Sequence, residues 1–456
     1  MSESRHPSEL QVFDTPTLAR TDEFAVTIDG RDIPVRRCSA ASLARFAFEG
    51  NVSVEITGPA FDHVAIRPLS RKISPTITGN RIQFDLDQPA NVSIEFDGID
   101  NPLFLFADPP ANRPKSDDPS IHYFGGNQVH DIGHLALGDG ETLFVEGGSV
   151  LRGVITAEDA TDVAIRGRGV IDATGVMADH GVPDLMGDRA HLADLVNCSD
   201  VTIEGVTLLN LDDAEGWTLV PVACKDVTIQ NIKIIGDSAN DDGIDVVGSE
   251  RVTIENCFLR TKDDCVAVKA LPRTTRAVGD QPIRTVRVKN TTAWNAEWGN
   301  AFEIGYETRA AEITDIVFED CDIIHAEREG WSSGGTLTIH NGDRAHVHDI
   351  TFRDIRIEDA QEKLLDFKVL DGRYTQDEEP GRISNVLVED LHIIDGELPP
   401  SIIQGYESTD WDDTRVDDFT IKNFRVHGRL VDSFLEARLI TELVRSVRFV
   451  TSSTDA

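Results

Sequence analysis

Three short segments share one alternation of apolar and polar positions: Asp242-Gly-Ile244-Asp-Val246, Asp264-Cys-Val266-Ala-Val268 and Asn300-Ala-Phe302-Glu-Ile304. Apolar residues at alternate positions predict a β-strand, and in each segment the residue that should begin the apolar face is instead Asp, Asp or Asn. A second pattern recurs around them. Runs reading apolar–polar–apolar, then polar, then Gly, Asn or Asp begin at Val163, Val201, Val227, Val252, Val286, Ile316, Ile350, Val386 and Phe419. Their irregular spacing lies within the range of solenoid repeats, roughly 20 to 50 residues. The closing Gly, Asn or Asp suits a turn, because these residues tolerate positive φ better than others. Leu frames and helix-length periodicity are missing and β-branched residues dominate, so the predicted fold is all-β, a right-handed parallel β-helix. Equal phase in a solenoid means stacking. Cys198 and Cys224, each three residues before a motif, and Cys257 and Cys321, each just after one, are therefore expected to form interior ladders.

The first hundred or so residues read differently. Alternating runs at Phe24–Ile28, Val52–Ile56, Ile82–Leu86 and Val92–Phe96 are separated by turn residues and carry none of the solenoid motif, which predicts a small antiparallel β-sandwich. The stretch Asp108-Pro-Pro-Ala-Asn-Arg-Pro-Lys-Ser-Asp-Asp-Pro119, rich in Pro and charge, makes a natural linker. The boundary is placed at residue 115, with a sandwich domain over 1–115 and a β-helix over 116–456. The sandwich is expected to cap the solenoid's open end and shield its edge strands.

A formal net charge of −37 over 456 residues argues against nucleic acid as a partner, which would need a basic patch. An acidic surface with few lysines resembles proteins adapted to high salt, where screening relieves self-repulsion. Neither a signal-peptide core nor an apolar run long enough to cross a membrane is visible, so a cytoplasmic location is expected, with any sugar substrate imported. Six cysteines without a CxxC pair or clustered Cys/His spacing give no sign of zinc.

If the three segments stack as rungs about 4.8 Å apart, Asp242 and Asp264 become neighbours and Asp263 flanks them. Close carboxylates cannot all ionise cheaply, so one is expected to keep a proton while another stays charged, the pairing acid–base chemistry needs. The competing role for these residues is turn formation, for which Asn-Asp-Asp-Gly is well suited. Turn duty does not explain why the column recurs on adjacent rungs.

Trp217-Thr-Leu, Asn240-Asp-Asp242-Gly-Ile-Asp, Val252-Thr-Ile-Glu-Asn-Cys and Lys262-Asp263-Asp264-Cys-Val-Ala-Val-Lys269 together resemble the active-site core of family 28 glycoside hydrolases, the polygalacturonase group. An amino-terminal sandwich before the helix is more like the related family 49, the dextranase and isopullulanase group. The resemblance implies that Asp263 is the general acid, that Asp242 and Asp264 orient the attacking water, and that hydrolysis inverts the anomeric carbon. No metal or other cofactor is required. The chain departs from family 28 at two places: Gly299-Asn300-Ala301 replaces a Gly-His-Gly segment, and no Arg-x-Lys clamp for a substrate carboxylate is recognisable downstream. The missing clamp points away from galacturonan, as does the site's negative charge.

Further substrate-binding candidates are Asn240 and Asp241 beside the first Asp; Asn300, Glu303 and Glu307 on the following strand; and Trp217, Trp298 and Tyr306 as stacking surfaces or packing residues. Lys269 either reaches the groove or pairs with a structural carboxylate. His325 is a lone histidine expected to begin a loop. The pairs Gly125-Gly and Gly334-Gly lack the setting of a phosphate loop and read as turns. The expected function is hydrolysis of an oligo- or polysaccharide, with a polysaccharide lyase or a non-catalytic carbohydrate-binding protein as alternatives on the same scaffold.

Overall fold

The computed structural model describes residues 10–115, 117–176, 191–211, 216–272, 278–327, 334–408, 410 and 415–451. Among the described residues, the strands from Ile121–Phe124 to Val447–Val450 form one parallel coil of 30 strands, broken only by an antiparallel hairpin at Arg425–Val426 and Arg429–Leu430. The recurring motif is the register of this coil: Val163, Val201, Val227, Val252, Val286, Ile316, Ile350, Val386 and Phe419 stand one above another. Each motif ends at positive φ, from Gly167 and Gly205 through Asn231, Asn256, Asn290, Asp320, Asp354 and Asp390 to Asn423. The chain turns one sheet into the next at these residues, where a β-branched side chain would be strained.

Apolar side chains of every rung fill the interior as one continuous cluster, with Phe302, Phe318, Phe352 and Phe367 stacked along it. All six cysteines are buried thiols. The backbone N–H of Cys198 points at the Sγ of Cys224, and that of Cys257 at Thr291, one rung below Cys321. Among the described residues no helix is long and apolar enough to cross a membrane.

The sandwich pairs a five-stranded sheet, including Ala25–Ile28, Val52–Thr57 and Arg81–Leu86, with a seven-stranded sheet that includes Ser42–Ala47, Ala90–Phe96 and Leu103–Asp108. One pairing departs from the antiparallel expectation: Leu103–Asp108 runs parallel to Ser42–Ala47. Both of these strands are buried at every position. One face (Ala44, Phe46, Leu103, Leu105) lies in the sandwich core, and the other (Leu43, Phe104, Phe106) packs on Val150, Val170, Leu209, Ile235, Phe258 and Trp294 of successive rungs. A strand covered on both faces reads as a near-continuous apolar run, which is how Leu103-Phe-Leu-Phe-Ala looks in the sequence.

The sandwich therefore lies along the flank of the β-helix, not over its end as expected. What draws it there is the apolar outer face of one helix sheet, which would otherwise be exposed. Buried ion pairs cross the same seam: Lys233 with Asp108, and Arg67 with Glu358 at 2.6 Å.

Candidate functional site

The three segments lie at the corner where one sheet of the helix turns into the next. Asp242 sits between strands Lys233–Gly236 and Ile244–Val247, Asp264 between Phe258–Thr261 and Val266–Ala270, and Asn300 between Thr292–Asn295 and Phe302–Thr308. Backbone bonds tie the corners together: Thr218 N–H to Asp242 O at 2.8 Å, Gly243 N–H to Asp264 O at 2.8 Å and Cys265 N–H to Asn300 O at 3.0 Å. Trp217, Asp242, Asp264 and Asn300 are thus one column.

One carboxylate oxygen each from Asp242, Asp263 and Asp264 lies within 4.8 Å of the others, with Asp263 the most open of the three. Burial, then the charges of Asp242 and Asp264, hold the Asp263 carboxyl well above the usual carboxylate range. Burial and Asp242 do the same to Asp264. A set of this kind keeps a proton near neutrality and titrates as a unit.

The balancing charge is Lys269. Its Nζ lies 2.5 Å from Asp242 Oδ2, 2.9 Å from Asp245 Oδ1 and 3.8 Å from Asp264 Oδ2. Burial alone would lower its pKa, but Asp242, Asp245 and Asp264 carry it well above the ordinary lysine value. The carboxylates that could hold a divalent cation thus already face a fixed ammonium group. The Lys269 ammonium also sits 4.2 Å from the centroid of the Trp217 ring, which stacks on His191 at 5.1 Å. Trp217 is 3% exposed, so it packs beneath Lys269 and offers no platform to a sugar.

Asp241 was expected to touch substrate, and the structure gives it a different task. It is fully buried, and its two oxygens accept the backbone N–H groups of Ser238, Lys262 and Asp263 at 2.9 to 3.1 Å. It clamps the Asp263 corner to its own. Burial pushes its pKa up to about 6, against the pull of those three N–H groups. Across the corner Gly299 adopts φ +66°, and a Cβ there would meet Asp263 Oδ1 at 2.4 Å.

Asn300 donates to Asp264 Oδ1 at 2.9 Å and accepts from Gly335 N–H at 2.9 Å, so both ends of its amide are engaged. Glu303 is 1% exposed; it accepts a hydrogen bond from Thr338 and pairs with His340 at 3.1 Å. His340 in turn lies 3.3 Å from Asp366, and these carboxylates outweigh burial and raise it to about 10. Expected as a sugar ligand, Glu303 is instead part of a buried ionic column. Tyr306 and Glu307 remain half-buried on the same strand, with Tyr306 edge-on to the exposed Tyr374 at 5.5 Å. Asn240, at φ 61°, and Trp298 are half-buried beside the triad corners.

His325 belongs elsewhere. It lies inside strand Glu312–Ala326, not at the start of a loop, and its Nε2 meets Glu95 of the sandwich at 2.9 Å. A lone histidine at a strand's polar positions does not announce a partner 230 residues away.

Sequence reasoning missed Asp245, His340 and Asp366. Each was signalled by a charged residue within an otherwise apolar alternation: Ile244-Asp-Val, Thr338-Ile-His and Leu365-Asp-Phe.

The sequence model of glycosyl hydrolases family 28 matches residues 141–397, more than half of the chain. A probable polygalacturonase of Vitis vinifera is 30% identical over 206 residues, 44% of this chain and 40% of that protein. A polygalacturonase of Juniperus ashei is 26% identical over 226 residues, 45% of this chain and 39% of that one. The matched part thus spans well under half the length of these relatives. Among solved structures, an exopolygalacturonase from Thermotoga maritima aligns with TM-score 0.54 and 19% identity over 72% of this chain and 83% of its own. Dex49A from Penicillium minioluteum aligns with TM-score 0.58 and 12% identity over 92% of both. At these identities the structural likeness concerns the fold, and Dex49A follows the chain through the sandwich as well.

Proposed function

The chain belongs to glycosyl hydrolases family 28, and from that premise we propose that it hydrolyses an O-glycosidic bond of an oligo- or polysaccharide with inversion at the anomeric carbon. Asp263 is the general acid in this reading. It protonates the leaving oxygen while Asp242 and Asp264 hold the water that attacks the anomeric carbon and take its proton. The observation that carries the reading is the crowding of the three carboxylates within 4.8 Å, which favours retention of a proton on the set, as a general acid needs.

The substrate we infer is not a typical galacturonan. Among the described residues, the cations flanking the triad each sit within 4.0 Å of a carboxylate: Lys262 with Glu297, Lys269 with Asp242, Lys363 and Lys368 with Asp366, and His340 with Glu303. The cations named are thus already engaged, so an uncharged residue next to the scissile bond fits better.

The test is a panel of neutral and acidic oligosaccharides at low and high salt, followed by NMR of the first-formed anomer. Inverted product from a glycan with a neutral residue at the cleaved bond is expected. Retained product would replace the mechanism, and an unsaturated product would replace hydrolysis by a lyase reaction.

A further inference from the structure

The corner column that carries the triad continues past Asn300 to Gly334-Gly335, a pair whose sequence reads as no more than a turn. Phe302 N–H donates to Thr336 O at 3.2 Å and Thr336 N–H to Lys363 O at 2.7 Å, so Asn300, Gly335 and Lys363 lie at successive corners. Gly335 N–H donates to Asn300 Oδ1 at 2.9 Å, which fixes the orientation of that amide and leaves Nδ2 to donate to Asp264 Oδ1 at 2.9 Å. The corner is tightly filled. A Cβ on Gly335 would meet Lys363 O at 3.0 Å and both the Asp366 Cβ and Thr338 Cγ2 at 3.3 Å.

The carbonyl of Gly334 and the N–H of Gly335 are the two ends of one planar peptide group. Lys363 Nζ donates to that carbonyl at 2.6 Å, so a cation grips one end while Asn300 is held by the other. A charge-assisted bond of this kind is stronger than a neutral one, and bonds in a chain polarise one another. The ammonium group therefore makes Gly335 N–H a better donor, and the Asn300 amide in turn a better donor to Asp264. Against burial and the charge of Asp242, which push the Asp264 pKa up, the bond from Asn300 favours the charged form. That is the form able to take a proton from water.

Lys363 is itself held. Asp366 is buried on strand Leu365–Val369; its Oδ2 lies 3.2 Å from Lys363 Nζ and accepts Gly334 N–H at 3.0 Å. Burial works against its charge, but His340, Lys368 and Lys363 hold its pKa down at about 2. A buried ion cluster is by itself weak evidence for stability, since apolar packing often serves as well. Apolar packing would not supply a charged donor and a charged acceptor to one backbone residue, and Lys363 with Asp366 does.

We propose that Lys363, anchored by Asp366, is a positioning residue for the hydrolytic site: through the Gly334–Gly335 peptide it holds the Asn300 amide, and that amide holds Asp264. The inference rests on the reading of the triad as a hydrolytic site and deepens it.

Two readouts on the full chain test it, one with turnover and one without. Lys363→Met removes the donor to Gly334 O, so kcat should fall by about tenfold with KM little changed, given what small misplacements cost. Lys363→Arg, which keeps a donor, should recover most of the loss. In an Asn300→Ala background the relay is already cut, and Lys363→Met should lower kcat no further. Lys368→Met takes a cation from the same carboxylate, 2.8 Å away, and leaves the bond to Gly334 in place. Its melting temperature should drop as much as that of Lys363→Met, with kcat within about twofold of the parent. The second readout is the side-chain amide signal of Asn300 in NMR, identified by its absence in Asn300→Ala. Lys363→Met should move that signal and speed its hydrogen exchange by about tenfold, and Lys368→Met should do neither. An unmoved amide signal in Lys363→Met overturns the proposal, as does an unchanged kcat, an equal fall in Lys368→Met or an additive loss in the Asn300→Ala background. A chain that cleaves no glycan yet shows the amide change keeps the relay and loses the hydrolytic reading.

Discussion

Two clusters of charge lie along the same stack of rungs, and they are built on different principles. At the seam, Arg67 pairs with Glu95 at 3.0 Å and Glu358 at 2.6 Å, His325 with Glu95 at 2.9 Å and Asp359 at 3.2 Å, and Arg356 with Asp322 at 2.6 Å. Every one of those carboxylates has a cation against it. At the corner, Asp242, Asp245 and Asp264 share Lys269, and Asp263 has no cation within ion-pair distance among the described residues. Balanced charge holds two domains together, whereas unbalanced charge keeps a carboxyl protonated. An arrangement that lowers stability persists where chemistry uses it.

Replacement of Asp263 should separate the two clusters most sharply. Asp263→Asn removes one member of an overcrowded set, so thermal stability should hold or rise slightly while turnover falls by about three orders of magnitude or more. Loss of stability with turnover intact would mean that Asp263 serves the fold. Lys269→Met attacks the other side of the balance. It leaves Asp242 and Asp245 buried beside one another without their cation, and such a break costs about 3–5 kcal/mol. Chemical denaturation measures it, and adding Asp245→Asn should recover part of the loss, since the two residues are in contact.

A smaller effect should follow from Gly299→Ala. The new methyl would press on Asp263 Oδ1 and on the Asp264 backbone N, at 2.4 and 2.5 Å. Displacing the acid by a fraction of an ångström should lower kcat by about ten- to a hundredfold, given what misplacement of a reacting group does. KM should change little, and a comparable glycine change at the exposed Gly140, where a Cβ meets nothing within 4 Å, should leave kcat alone.

Much of this was legible in the chain because a solenoid makes phase and position the same thing. Nine motif starts predicted the stack from Val163 to Phe419, and their closing Gly, Asn or Asp gave the turns. The Asp242, Asp264 and Asn300 column followed from the same rule. What the sequence hid depends on contacts between segments far apart. His325 finds Glu95 in another domain, and the outer faces of Phe104 and Phe106 place the sandwich on the flank. Trp217 and Glu303 sit at polar phases, yet neighbouring rungs cover them, and alternation along one strand does not tell an open groove from a filled one.

His325 offers the mildest test of the contrast, because its charge serves only the seam. Burial would lower its pKa, but the hydrogen bonds to Asp359 and Glu95 raise it to about 9. The folded chain thus holds this proton more tightly than the unfolded one, whose histidine titrates near 6.5. Its contribution to stability is therefore fully present below about pH 6.5 and is lost as pH climbs through about 9. His325→Gln should destabilise the chain by about 3 kcal/mol at pH 6, an amount set by the shift at roughly 1.4 kcal/mol per unit. The difference from the parent should shrink toward zero by about pH 10, and kcat at pH 6 should stay within about twofold of the parent. A pH-independent loss would mean that His325 contributes shape and not charge. A fall in kcat without loss of stability would return it to the cleft and dissolve the distinction between the two clusters.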